Sequence, residues 1–83
     1  MTKQELYQAA AKLTYKHELW IREKSKPKPK FTWADYCKYE DSLPLEVTIL
    51  FYDYLKRYFD GETSLKSIRK RFLAESKVET EVE

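Results

Sequence analysis

A lysine- and proline-rich segment at residues 24–30, KSKPKPK, divides a chain that is otherwise patterned as helix. Proline lacks a backbone N–H and fixes φ near the polyproline value, so Pro27 and Pro29 do not fit inside a continuing helix. The segment therefore predicts a basic, extended connection between two helical parts, with its lysines in water. We call residues 24–30 the strut.

The length and composition of the chain limit the fold and the chemistry. A chain of 83 residues makes one domain, and it buries only roughly 60 to 65% of the surface that its unfolded form exposes. The single glycine excludes a glycine-rich phosphate loop or a dinucleotide fingerprint. We expect one helical domain over residues 1–76, followed by an acidic, disordered tail at residues 77–83.

The first helix should begin after Thr2, because Thr2 and Glu5 have the spacing of a capping box, and it should run to about Lys24. Its core-facing arc at helical spacing comprises Leu6, Ala9, Ala10, Leu13, His17, Trp20 and Ile21. Tyr15 and Leu19 form a second apolar stripe on the other side. Either this stripe packs against a second neighbouring helix or it binds a partner.

A short second helix should follow the strut and end near Asp41. Thr32 and Asp35 again have capping-box spacing. Its inner face is expected to carry Trp33, Tyr36 and Cys37.

The third helix should run to about Asp60, with Ser42 or Leu43 as its N-cap. Gly61 follows it where a left-handed residue commonly ends a helix. Apolar and aromatic residues cover more than half of the circumference of this helix, which is typical of the central helix in a bundle.

A fourth, basic helix should begin after Thr63 or Ser64 and end near Ser76. The sequence therefore predicts an all-α fold. We expect a small compact bundle of three longer helices and one short helix, with the third helix at the centre.

No constellation of residues indicates catalysis. His17 lies in an apolar arc, where a lone histidine usually belongs to the core with one hydrogen bond. A catalytic role would need Cys37, Glu18 or Asp35 to converge on it, and no spacing requires that. One histidine and one cysteine do not supply a recognisable metal site. We expect no enzymatic activity, no metal and no cofactor, and the single cysteine favours a reducing compartment.

The chain carries seven tyrosines, which is more than a thin core can bury with every hydroxyl satisfied. Exposed tyrosine beside arginine is typical of protein interfaces. The predicted partner-binding residues are Tyr15, Leu19, Tyr54 and Tyr58. They favour a non-catalytic module that docks on a protein partner, and by analogy an accessory or inhibitory factor of the kind found in phages and mobile elements.

Basic residues form a second candidate surface. They are Lys26, Lys28 and Lys30 in the strut and Lys66, Arg69, Lys70 and Arg71 on the fourth helix. They either solvate a helix face, bind phosphates or dock on an acidic protein surface. Residues 45–75 resemble a helix-turn-helix reader in outline, but the second helix lacks Asn or Gln at a base-reading position. A nucleic-acid-binding regulator is therefore the alternative function.

The N-terminus has no signal-peptide pattern, and no apolar run approaches the roughly 18 to 20 residues that cross a bilayer. We expect a cytoplasmic protein with no membrane partner. The apolar surface of the third helix also leaves a homodimer open.

Overall fold

The computed structural model of the protein describes residues 2–81 of the chain, with side chains described for residues 2–76. Residues 2–81 form four helices and no strand, so the predicted all-α fold is confirmed. The helices are α1 (Lys3–Glu23), α2 (Trp33–Asp41), α3 (Leu45–Phe59) and α4 (Leu65–Glu81).

Both predicted capping boxes are present. The Thr2 hydroxyl accepts a hydrogen bond from the backbone N–H of Glu5 at 3.1 Å, and the Glu5 carboxylate accepts one from the Thr2 N–H at 3.2 Å. Thr32 and Asp35 make the same reciprocal pair at the start of α2, at 3.3 and 3.0 Å. These helix starts were predictable because each depends only on residues three positions apart.

The start of α3 was predicted wrongly. Its N-cap is Pro44, which makes no side-chain capping bond. The Ser42 hydroxyl instead donates to the Tyr39 carbonyl at 2.6 Å, so Ser42 closes the end of α2. Proline fits this extended N-cap because its preset φ, here −59°, is compatible with it and because its missing N–H is not needed for a bond within the helix.

The predicted glycine termination of α3 is confirmed. Gly61 has a φ of +79°, which residues with a side chain rarely adopt. The Gly61 N–H donates to the Tyr58 carbonyl at 3.1 Å, and the Glu62 N–H donates to the Arg57 carbonyl at 2.9 Å. This pair of bonds is a Schellman motif, which satisfies carbonyls that the helix end leaves free.

The fourth helix begins as predicted and ends later. The Ser64 hydroxyl caps α4 by accepting from the Ser67 N–H at 3.2 Å. The helix runs to Glu81, five residues beyond the end predicted at Ser76, and only residues 82 and 83 of the predicted disordered tail lie outside the described residues. Lysine and glutamate are good helix formers, so the stretch after Ser76 can extend a helix that is already formed.

The central helix is α1 and not α3, contrary to the prediction. Among the described residues α1 packs against all three other helices, and its contact with α4 is the most extensive. The two helices run antiparallel, since Glu18 meets Arg69 whereas Tyr7 meets Phe72 further along. Small side chains at Ala10 and Ala11, both buried, leave room for neighbouring helices to approach α1 closely.

Each helix contributes to one apolar core. The buried apolar side chains are Ala10, Ala11, Leu13, Tyr36, Val47, Phe51, Leu55, Leu65, Ile68 and Phe72. The α1 arc predicted from the sequence therefore faces the core. Since Ala11 is also buried and Leu19 is half-buried, α4 covers part of the second stripe of α1.

A buried carboxylate folds the strut back onto the end of α1. Glu23 is 4% exposed, and it accepts hydrogen bonds from the Lys26 ammonium at 2.5 Å and from the Lys30 N–H at 2.9 Å. The bond from Lys26, followed by the bond from the Lys30 backbone, holds the pKa of Glu23 below its ordinary value. The strut is therefore bent back onto the end of α1, and it is not the extended connection that its prolines predicted.

Two phenylalanines test which part of the fold carries its stability. Phe72 is fully buried between Tyr7 and Tyr54, whereas Phe59 is 70% exposed. We expect Phe72→Ala to lower the free energy of unfolding by about 3 to 5 kcal/mol, through lost burial and the cavity left behind. The matched change Phe59→Ala should stay within about 0.5 kcal/mol. Urea denaturation followed by circular dichroism measures both, and similar losses for the two variants would contradict this assignment of the core.

Candidate protein-binding surface

Two of the predicted partner-binding residues are packed into the fold. The Tyr54 ring lies 4.6 Å from the Phe72 ring, and the guanidinium groups of Arg57 and Arg71 lie 5.1 and 5.7 Å from its centre. Tyr58 is also half-buried and packs against the core. These contacts leave little free surface on either tyrosine for a partner.

The other two predicted residues lie along α1. Tyr15 is 42% exposed and borders a shallow apolar groove between α1 and α4, with Ala11 and Leu73 in its lining. The Arg69 guanidinium lies 5.8 Å from the Tyr15 ring and closes one side of this groove. Leu19 is half-buried and does not line it. The four predicted residues therefore do not form one surface.

One face of α3 instead carries the three most exposed large apolar side chains of the described residues, together with Tyr52. Leu45, Ile49, Tyr52 and Phe59 are 73%, 61%, 41% and 70% exposed. With the exposed Lys56 they recur at intervals of four, three, four and three residues, which places all five on one side of a helix. We call Leu45, Ile49, Tyr52, Lys56 and Phe59 the α3 stripe.

The sequence indicated more apolar surface on α3 than a small core needs, but the predicted partner-binding residues on this helix, Tyr54 and Tyr58, are not members of the stripe. The core side of α3 consists of Val47, Phe51 and Leu55, at intervals of four residues. None of the other helices in the described part of the chain covers the remaining apolar side. The four-three spacing from Leu45 to Phe59 was the signal that could have separated the two faces.

Tyr52 is held in place within the stripe by α2. Its hydroxyl donates to the Glu40 carboxylate, with both carboxylate oxygens at 2.9 Å. Partial burial, together with this neighbouring carboxylate, raises the pKa of Tyr52 to about 12. The tyrosine therefore stays a neutral hydrogen-bond donor at physiological pH, and its ring has a fixed position on the surface.

Carboxylates border the α3 stripe. Glu46, Asp53 and Asp60 each follow a stripe residue by one position, at intervals of seven residues, and all three are exposed. Glu40 adds a fourth carboxylate through its bond to Tyr52. The exposed apolar face of α3 thus has an acidic border, although the whole chain carries a net charge of +2.

Ion pairs engage two of the seven predicted basic residues. Arg69 donates from Nε to the Glu18 carboxylate at 2.8 Å, and Lys26 is bound to Glu23. Arg71 lies against Tyr54. The other four are exposed: Lys28, Lys30, Lys66 and Lys70. Because α1 and α4 are antiparallel, Lys66 lies at the same end of the bundle as the strut.

An aromatic cluster surrounds His17. The imidazole is 5% exposed and lies edge-on to the rings of Trp20 and Tyr36, at 5.6 and 5.2 Å. It is a core residue as predicted, but the expected hydrogen bond is not made at Nδ1, which has no partner among the described residues. Tyr36, also buried, lies near Glu40, and burial first and that carboxylate second raise the pKa of its hydroxyl.

Trp33 was predicted on the inner face of α2, and it is 49% exposed. Its ring stacks on Tyr36 at 5.0 Å and lies 4.6 Å from the Trp20 ring. Trp33 therefore covers the outer edge of the aromatic cluster.

The other groups considered for chemistry have structural partners. Glu18 binds Arg69 and Asp35 caps α2. Within residues 2–76, His, Cys, Asp and Glu side chains nowhere group in threes as a metal site would require. None of the helices in the described part of the chain is long and apolar enough to span a membrane.

No family model, curated protein or solved structure matches this chain.

The buried His17 predicts a pH dependence of stability. Burial is the largest cause that lowers the pKa of His17 below its ordinary value of about 6.5. Unfolded chains keep that ordinary value, so as the pH falls below about 6.5 the unfolded state takes up a proton first. We expect the free energy of unfolding to decrease by up to about 1.4 kcal/mol per pH unit between pH 6.5 and the lower pKa of the folded state.

Urea titrations between pH 7.5 and 5 measure this slope, with His17→Leu as the control that cannot titrate. Carboxylates with lowered pKa values, such as Glu5 and Glu23, change the free energy of unfolding at lower pH, where they become protonated. If wild type and His17→Leu give parallel stability profiles across this range, His17 is not the source of the dependence.

Proposed function

We propose that this protein is a non-catalytic binding module that docks on a protein partner through the α3 stripe. The observation that carries the proposal is the row of large apolar side chains that the fold leaves exposed along one face of α3. Tyr15, in the α1–α4 groove, offers a smaller second contact. Accessory or inhibitory factors act in this way, by occupying a surface of their target.

The size of the stripe supports a role in binding. Leu45, Ile49 and Phe59 lie more than half exposed on a single helix of 15 residues. Full burial of one such side chain contributes about 1.5 to 3 kcal/mol. Small soluble domains rarely leave several large apolar side chains together in water, and such patches usually mark an interaction site. Removing these residues from water is therefore a sufficient driving force for association.

Binding requires little rearrangement of the stripe. α3 begins at the Pro44 N-cap and is closed by the Schellman motif at Gly61. The hydrogen bond to Glu40 holds Tyr52 in place. A preorganised surface loses less side-chain entropy when a partner binds.

Nucleic-acid binding is the alternative function. The strut lysines and Lys66 lie at one end of the bundle, which supports a shared phosphate contact. Arg69 and Lys26, however, are already paired with carboxylates. This alternative predicts affinity that falls steeply with salt and with replacement of Lys66 and Lys70.

Site-specific photo-crosslinking in cells tests the proposed surface. A photoreactive amino acid replaces Ile49 on the stripe, Ala34 on α2 as an exposed control, or Lys70 on α4. We expect position 49 to give one protein adduct of defined mass and position 34 to give none. Adding Phe59→Glu should abolish the adduct at position 49, because a charge would then be buried in the interface.

Two other outcomes of the crosslinking would identify a different partner. Absence of any adduct at position 49, with a nuclease-sensitive adduct at position 70, would replace the proposal with the nucleic-acid alternative. An adduct at position 49 of twice the chain mass would identify the partner as a second copy of this protein.

A further inference from the structure

We infer that the partner presents an amphipathic α-helix whose apolar row is bordered by lysine or arginine. This inference rests on the proposed function of the α3 stripe, and it adds the chemical class of the partner. It follows from three features of the stripe: the spacing of its residues, the charges beside it and the position of Lys56.

The spacing of the stripe fits a helical partner. Intervals of four and three residues, repeated twice between Leu45 and Phe59, are those along which one helix packs its side chains against another. The stripe follows α3 for about 21 Å, which corresponds to two heptads. An extended peptide has no such repeat, since its side chains alternate every two residues.

The carboxylates beside the stripe indicate which charge the partner helix carries at its flanks. In heptad terms the stripe residues occupy the a and d positions, and Glu46, Asp53 and Asp60 all occupy the same flanking position, e. Flanking residues face the flanks of the partner helix and decide which helices pair. A partner with lysine or arginine at its flanks meets three carboxylates, whereas an acidic partner is repelled.

The same charges disfavour the pairing of α3 with a second copy of itself. In an antiparallel pair, a positions pack against d positions and the e positions of the two helices face each other, so the carboxylates at e of one copy lie beside those of the other. In a parallel pair, equal a positions meet, so Lys56 would face Lys56 in the apolar row. Both arrangements bring like charges together, and a different helix avoids both.

Lys56 adds a requirement on the partner. It is exposed and is the one charged residue within the stripe. A buried lysine needs a counter-charge. The partner helix should therefore carry an acidic residue opposite Lys56 and basic residues at its flanks.

Two matched synthetic peptides test the inference with the intact protein. Both have about three heptads, leucine in the apolar row and one central glutamate to meet Lys56. One carries lysine at all flanking positions, and the other carries glutamate there. Like charges at the flanks keep each peptide from pairing with itself. The protein has a net charge of +2, so general electrostatic attraction would favour the glutamate peptide and the inference predicts the opposite order.

Fluorescence anisotropy of labelled peptides measures the two affinities. We expect the lysine peptide to bind about tenfold or more tightly than the glutamate peptide at about 50 mM salt, with the ratio falling at about 500 mM because salt screens exposed charges. Asp53→Lys should remove or invert this preference. Glu75→Lys makes the same change of charge on α4, away from the stripe, and should leave the preference intact.

The results separate the inference from the function on which it rests. Equal binding of the two peptides, tighter binding of the glutamate peptide, or no binding of either overturns the inference. If position 49 still crosslinks to a protein in cells, the proposed function stands with a partner of another kind. If the lysine peptide binds more tightly than the glutamate peptide but Ile49→Glu leaves its affinity unchanged, the peptide binds elsewhere on the protein. The inference then also fails.

Discussion

Packing against α1 is the constraint on which the rest of the structure depends. This helix contacts the three others, and its small side chains at Ala10 and Ala11 admit close neighbours, so α4 lies antiparallel along most of its length. Once α1 has α4 on one side, α3 can bury only one of its two apolar faces. Val47, Phe51 and Leu55 form that buried face, and the α3 stripe is the face left over.

The exposed stripe and the aromatic packing of the core have a common origin in the size of the chain. An 83-residue bundle has a thin core, and here aromatic rings fill it, with His17 enclosed by Trp20, Tyr36 and Phe51. The carboxylates that could have assisted a histidine serve as caps and ion pairs.

Helix starts and ends were the part of the fold most open to prediction. The capping boxes at Thr2 and Thr32 and the glycine stop at Gly61 depend on residues within one turn of each other, so local hydrogen bonding determines them. The start of α3 was less predictable, because Ser42 has two local options: it could cap α3 or close α2, and its hydroxyl bonds to the Tyr39 carbonyl at the end of α2. The partner-binding residues predicted from the sequence lie in different parts of the fold, because an aromatic residue such as Tyr54 looks the same in sequence whether α4 packs against it or not.

The sequence by itself determined the all-α class, the break at the strut, both capping boxes and the inward arc of α1, because each follows from hydrogen bonding or periodicity within one segment. Only the tertiary structure decided that α1 is central, that Arg69 pairs with Glu18 and that Glu23 ties back the strut. It also decided which face of α3 stays in water. These properties depend on which helices pack against each other and which of their faces become buried. No pattern within a single segment specifies that packing.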